Sequence, residues 1–170
     1  EGLAYRLMPI EVVPPIDPLT GRADRSQRGQ VNPDIMYDNL MNKFKFGEIK
    51  NEGVHVDTDL RRMIVNFRGN YARLANALTA RGEKEKAIEV LDYSQEVMPE
   101  NASQYDFYLF TTIDAYYQAG AYKQANELTE LISTRLVEEL KYVKSLPKRD
   151  QRAWEQELQL NEYFIRKFMI

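Results

Sequence analysis

Apolar residues recur at helical spacing along most of this chain. Leu60, Ile64, Phe67, Tyr71, Leu74 and Leu78 step by three and four and form a single stripe, as an amphipathic helix with one buried face requires. Asp57 or Thr58 is placed to cap the start of this helix, and Gly82 fits its stop. A second helix is predicted from Lys84 to Val97, ahead of Pro99. Ser103 is a candidate cap for a third, which runs to about Gln118 and is closed by Gly120. A fourth starts near Tyr122 and ends before Pro147. A fifth begins at Asp150 and runs to the end, with Trp154, Leu158, Tyr163 and Phe164 as its buried positions. Upstream, Asn32-Pro33-Asp34 reads as a helix start, with Asn32 or Asp34 near the cap. Ile35, Met36, Leu40, Met41 and Phe44 follow at helical spacing and end near Gly47. Lys50 to Val56 is a turn-rich connection.

Residues 1–33 follow a different rule. Tyr5, Leu7, Met8, Ile10 and Val12 or Val13 form a short β-capable run. Pro9, Pro14, Pro15 and Pro18 interrupt it and forbid a long helix. Gly21, Gly29, Arg22, Arg25 and Arg28 then mark a loop up to Pro33. The expected organisation is an extended arm or linker over 1–33 and one helical domain over 34–170.

Two stretches of the helical region superpose. Asn76 to Ala87 and Asp114 to Ala125 each place an alanine before a glycine and another alanine five residues after it, at an offset of 38 residues. Small residues allow two antiparallel helices to approach, and a glycine takes the chain through the turn between them. Larger residues fill the rest: Tyr71, Leu74, Leu78 and Leu91 in the first copy, Leu109, Ile113, Tyr116 and Leu128 in the second. Through Tyr71, Leu74, Ala75, Leu78, Ala87, Leu91 and Pro99 the first copy resembles the tetratricopeptide repeat family, whose period is about 34 residues. The second copy departs from the pattern. Thr112 stands at a usually apolar position, Ile132 at a usually small one, and Val137 where the closing proline belongs.

The resemblance implies an all-α fold, a right-handed α-α superhelix of tetratricopeptide-like helical hairpins with an irregular N-terminal arm. Its repeats fall at about 68–101 and 106–137, and a C-terminal helix follows at about 150–170. It also implies a concave face for a protein or peptide partner, made by Ala72, Asn76 and Thr79 in the first repeat and Phe110, Asp114, Tyr117 and Gln118 in the second. The alternative for Phe110 and Tyr117 is packing against the arm or the 35–46 helix. The family's two-carboxylate clamp needs a lysine where Ala72 stands and matches only at Asn76. Capture of an acidic C-terminal tail is therefore not expected.

Composition narrows the chemistry. Lys and Arg number 23 against 26 Asp and Glu, a net charge of −3, which argues against nucleic acid as the main partner. With no cysteine and only His55 as histidine, thiol chemistry is excluded and a histidine-based triad has little to build on. His55 with Asp57 and Asp59 can be drawn as a metal site, but the acids read better as helix caps. Lys148, Arg149 and Arg152 read as a solvated charge run, and Tyr105, Phe107, Tyr108, Phe110, Tyr116 and Tyr117 as mostly core. No phosphate loop or dinucleotide fingerprint appears. No catalytic residue, metal or cofactor is expected, and no apolar run reaches the ~20 residues of a membrane span.

A second resemblance covers nearly the whole chain. Glu1 to Ile10, Gly29 to Asn32, Asp34 to Gly47, and Arg61-Arg62-Met63 leading into Asn66-Phe67-Arg68 resemble the C-terminal soluble region of bacterial multi-pass membrane proteins related to protein O-mannosyltransferases. This implies the tail of a longer protein in the bacterial cell envelope, attached to the inner membrane through an upstream region, with the tail on the periplasmic face. The expected function is a non-catalytic interaction or docking module whose partner is another protein or peptide or a part of its own polypeptide. The alternative is an accessory domain of an envelope glycosyltransferase that presents acceptor protein.

Overall fold

A computed structural model describes residues 29–51 and 53–168. The run of prolines before Pro18 and the arginine-rich loop up to Arg28 lie outside the described residues. The described residues are helical and contain no strand. Helix α1 spans Pro33–Tyr37 and continues as a π-helical turn over Asp38–Lys43. Then come α2 (Thr58–Ala80), α3 (Lys84–Val97), α4 (Phe110–Ala119, entered through a 3-10 turn at Phe107–Leu109) and α5 (Tyr122–Ser145). The short α6 (Lys148–Gln151) leads through a second 3-10 turn, Arg152–Trp154, into α7 (Glu155–Phe168).

Local chemistry sets most of these boundaries. The Asn32 side chain accepts from the Ile35 N–H and starts α1, with Pro33 in the first turn. Asp57 accepts from the Leu60 N–H at 2.8 Å and starts α2. The helix expected to reach Gly47 stops at Lys43. There the Phe44 N–H bonds the Asn39 carbonyl five residues back, which widens the last turn and ends it. Phe44 and Phe46 lie beyond that end and still pack edge-on against Phe67, at 6.4 and 5.7 Å between ring centroids. Ser103 does not cap the third helix. It sits buried inside the preceding turn, and Asp106 takes the capping role by accepting from the Tyr108 N–H at 2.9 Å.

The two hairpin turns have the same geometry. After α2, the Gly82 N–H bonds Thr79 and the Glu83 N–H bonds Leu78; after α4, Gly120 bonds Tyr117 and Ala121 bonds Tyr116. Each is a Schellman closure with glycine in the left-handed region, at φ 83° and 88°. Ala87 and Ala125, five residues on, are both fully buried. Helix α2 packs on α3 and α4, α3 on α4, α4 on α5, and α5 on α7. The main core gathers Ile64, Tyr71, Leu74, Leu78, Val90, Leu91 and Tyr116. A second cluster of Tyr105, Leu109, Ile113, Ile132 and Leu136 lies under α7.

The joint between the hairpins is made by Arg68, which is 5% exposed. Its guanidinium donates to the carbonyls of Met98 (2.8 Å), Pro99 (3.1 Å) and Ser103 (2.8 Å), and lies 4.6 Å from the Tyr105 ring centroid. The Met98 carbonyl at the end of α3 and the Ser103 carbonyl have no main-chain donor among the described residues, and Arg68 satisfies them from α2, while Pro99 also accepts from the Ala102 N–H. No carboxylate among the described residues forms an ion pair with it. Asp106 and Glu100 favour its charge at longer range, while burial lowers its pKa.

Two expected positions in the last segment are open to solvent: Trp154 is 45% exposed and Tyr163 58%. The 3-10 turn at 152–154 advances faster around the axis than an α-helix and shifts the phase of everything after it. Phe164, one residue past Tyr163, takes the inward direction.

The glycines give a test with opposite signs. A Cβ at Gly69, Gly82 or Gly120 meets nothing within 4 Å, so only backbone terms remain. Gly82→Ala and Gly120→Ala are expected to destabilise by about 1–2 kcal/mol each, because φ is positive there. Gly69→Ala, inside α2, is expected to stabilise by about 0.5–1 kcal/mol. Equilibrium denaturation of the three variants measures this, and a common sign for all three would contradict the assigned turns.

Candidate functional site

A groove of about 1060 Å³ runs along the outer face of α2. Its floor is a ladder at helical spacing: Asn66, Gly69, Asn70, Arg73 and Asn76, with Arg61 and Arg62 toward the start of the helix. Gly69 has no side chain and keeps the floor low at its middle. The opposite wall is the segment Ser103 to Asp106, with Tyr108 and Glu139. The same Arg68 that joins the hairpins holds this wall, through the Ser103 carbonyl and the Tyr105 ring. Arg135 of α5 supports it from behind, donating to the Tyr105 carbonyl at 2.8 Å and pairing with Glu100. The Tyr105 hydroxyl donates to Gln95 at 2.5 Å.

At Tyr105, Asp106 and Glu139 the groove meets a smaller pocket of about 250 Å³. Ile132, Leu136, Val143 and Leu158 give that pocket an apolar lining, and Trp154 stands among its walls. The arrangement is a polar trough ending at an apolar hole. Asn76 Oδ1 is buried in the trough region and accepts from nothing among the described residues, an uncommon state for a buried amide oxygen. Arg61 has no carboxylate partner among the described residues, while Arg62 sits 3.6 Å from Asp59 at the surface. Burial pushes the Asp106 carboxyl upward, against the lowering effects of the Tyr108 N–H and Arg68.

Of the seven positions expected on a concave face, the structure brings Ala72 and Asn76 to this groove. Thr79, also half-buried, lies outside the groove lining, and its hydroxyl has no partner among the described residues. Phe110 packs against Phe164 of α7, 5.5 Å between centroids. Tyr117 donates to Asn126 at 2.6 Å and stacks near Tyr122. Asp114 accepts from Gln118 at 2.5 Å on the same helix, and Gln118 is exposed. The four second-repeat positions lie outside the groove lining, and Phe110 is covered by α7.

Arg68, Asn66 and Asn70 carry much of this geometry, and sequence alone assigned none of them a structural or binding role. A signal for Arg68 existed. It falls in the buried phase of α2, between Ile64 and Tyr71, where a charged residue needs a specific partner. Asp57 is committed to its cap, and among the described residues no group of three metal-ligating side chains forms. No protein-family model, no curated protein and no solved structure matches the chain.

Asp106 yields a pH test. Its folded pKa lies above the unfolded value, so its contribution is intact below the unfolded pKa and is lost as pH rises through the folded pKa. Asp106→Asn keeps an acceptor for the Tyr108 N–H and removes the half-buried charge. The variant is expected to melt higher than the parent at neutral pH and to lose that advantage near pH 3, at about one unit below the ordinary Asp pKa. Thermal melts across that range measure it, and a variant less stable at neutral pH would contradict the assignment.

Proposed function

We propose that this chain is a non-catalytic docking module that lays an extended polypeptide segment in the α2 groove. The observation that carries the reading is the ladder of Asn66, Asn70, Arg73 and Asn76 on one helix face, opposite the wall formed by Ser103 to Asp106. Amides and guanidinium groups at helical spacing offer donors and acceptors to the backbone of a segment that makes no hydrogen bonds of its own. The adjoining apolar pocket adds a place for one aliphatic side chain, which supplies affinity where the trough supplies orientation.

The hairpins are proposed to be tetratricopeptide-like and to coil as a right-handed superhelix. The support is the shared Schellman geometry at a 38-residue offset, the buried alanines that follow, and the packing of α2 on α4. The long α5 and the returning α7 act as the cap that closes such an array. No helix among the described residues is long and apolar enough to cross a membrane. On the proposed reading, attachment to the inner membrane of a bacterial envelope belongs to an upstream region, with this module on the periplasmic face.

Panning a displayed random peptide library on the full chain tests the reading. Enriched peptides are expected to bind about tenfold more weakly to Asn70→Ala and Arg61→Ala, and as well as before to Tyr117→Ala. Enriched peptides that ignore both groove substitutions, or no enrichment, would overturn it.

A further inference from the structure

We infer that the groove and its apolar pocket together capture the free N-terminus of a partner polypeptide whose first residue is bulky and apolar. The α-ammonium sits at the junction of the two cavities, beside Asp106 and Glu139, and the first side chain fills the pocket. The inference rests on the reading that the groove takes an extended polypeptide. The observation that carries it is which residues the cavities share. Tyr105, Asp106 and Glu139 line both. Two carboxylates therefore stand where the polar trough opens into the apolar hole.

Charge calls for a cation there. Neither carboxylate forms an ion pair among the described residues. Asp106 holds the Tyr108 N–H with one oxygen, and Glu139 accepts from the buried Asn161 amide at 3.3 Å. The two guanidinium groups nearby are committed elsewhere. Arg135 pairs with Glu100, and Arg68 serves the Met98 and Ser103 carbonyls. Burial already disfavours the Asp106 charge. An ammonium group at the junction offsets that cost and donates charge-assisted hydrogen bonds to both acids.

The position of the acids decides which cation. A lysine or arginine carries its charge at the tip. Seated in the pocket, it would place that charge past the carboxylates, among Ile132, Leu136, Val143 and Leu158, where an unpaired charge is costly. An internal apolar residue fits the hole but leaves both carboxylates unbalanced. A free carboxylate is repelled by them. Only a chain start joins an ammonium and a side chain at one carbon, so the charge stays at the junction while the apolar group goes in. The pocket, about 250 Å³, has room for one large aliphatic side chain. The rest of the segment continues along the floor of Asn66, Asn70 and Arg73.

Fluorescence anisotropy on the full chain tests this with a synthetic probe that begins with leucine and continues with serine and asparagine, labelled at its C-terminus. About eight residues span the ~27 Å of α2 from Thr58 to Asn76. The free-amine probe is expected to bind about tenfold more tightly than the same peptide acetylated at its N-terminus, and about tenfold more tightly than one that begins with glycine. Asp106→Asn with Glu139→Gln is expected to abolish the preference for the free amine and to leave the acetylated probe's affinity unchanged, the signature of a specific pair and not of overall charge. Equal affinity of the free and acetylated probes overturns the capture, as does a preference that survives the loss of both acids. If the two probes bind equally and Asn70→Ala weakens both, docking in the groove stands and only the captured end is wrong. A free-amine probe that does not bind overturns the capture as well. Peptides from panning that depend on Asn70 then preserve the docking reading, and their absence sinks both.

Discussion

One buried arginine holds the two halves of this molecule in register. Each helix end leaves carbonyls that need a donor; after α3 the Ala102 N–H serves Pro99, but among the described residues no main-chain N–H serves Met98 or Ser103. Arg68 reaches across from α2 and supplies donors to Met98, Pro99 and Ser103. Lysine has a single ammonium and cannot match a planar fork with several fixed donors. Because no carboxylate pairs with it directly among the described residues, its charge is matched by backbone dipoles and by the face of Tyr105. This interaction fixes where α4 begins relative to α2, and so fixes how the second hairpin stacks on the first.

The same contact shapes the surface. Ser103 and Tyr105 form the groove wall that faces the α2 ladder. Were the 98–106 segment free to swing, the trough and the apolar pocket would not meet at Tyr105. Arg135 reinforces the wall from α5, so three helices contribute to a site whose floor lies on one. The fold thereby converts an end-of-helix satisfaction problem into a positioned surface groove.

The helices were legible because their apolar stripes and glycine stops follow local rules. Asp57, Gly82, Pro99 and Gly120 mark boundaries whatever lies around them. The α2 stripe is buried at Ile64, Tyr71, Leu74 and Leu78, and half-buried at Leu60 and Phe67. Two kinds of feature were not legible. One is phase: the π-turn at 38–43 ends the first helix early and the 3-10 turn at 152–154 interrupts the last, while Trp154 and Tyr163 are exposed. The other is long-range pairing. Nothing local announces that Arg68 meets the end of α3, or that Phe110 is covered by α7. The first-repeat positions Ala72 and Asn76 came together in the groove because they share one helix face; of the second-repeat positions, Phe110 depends on how α7 returns.

The account depends most on Arg68 being a joint and not a passenger. Exchanging a buried charge for an apolar side chain is often harmless when its partners vanish too. Here the partners are main-chain carbonyls, which remain. Equilibrium unfolding of Arg68→Met is therefore the direct measurement. A loss of about 3 kcal/mol is predicted, of which Arg68→Lys recovers less than half, because the Met98 and Ser103 carbonyls lose their donor at once. An Arg68→Met chain within about 0.5 kcal/mol of the parent, the range of an ordinary surface change, would contradict the account.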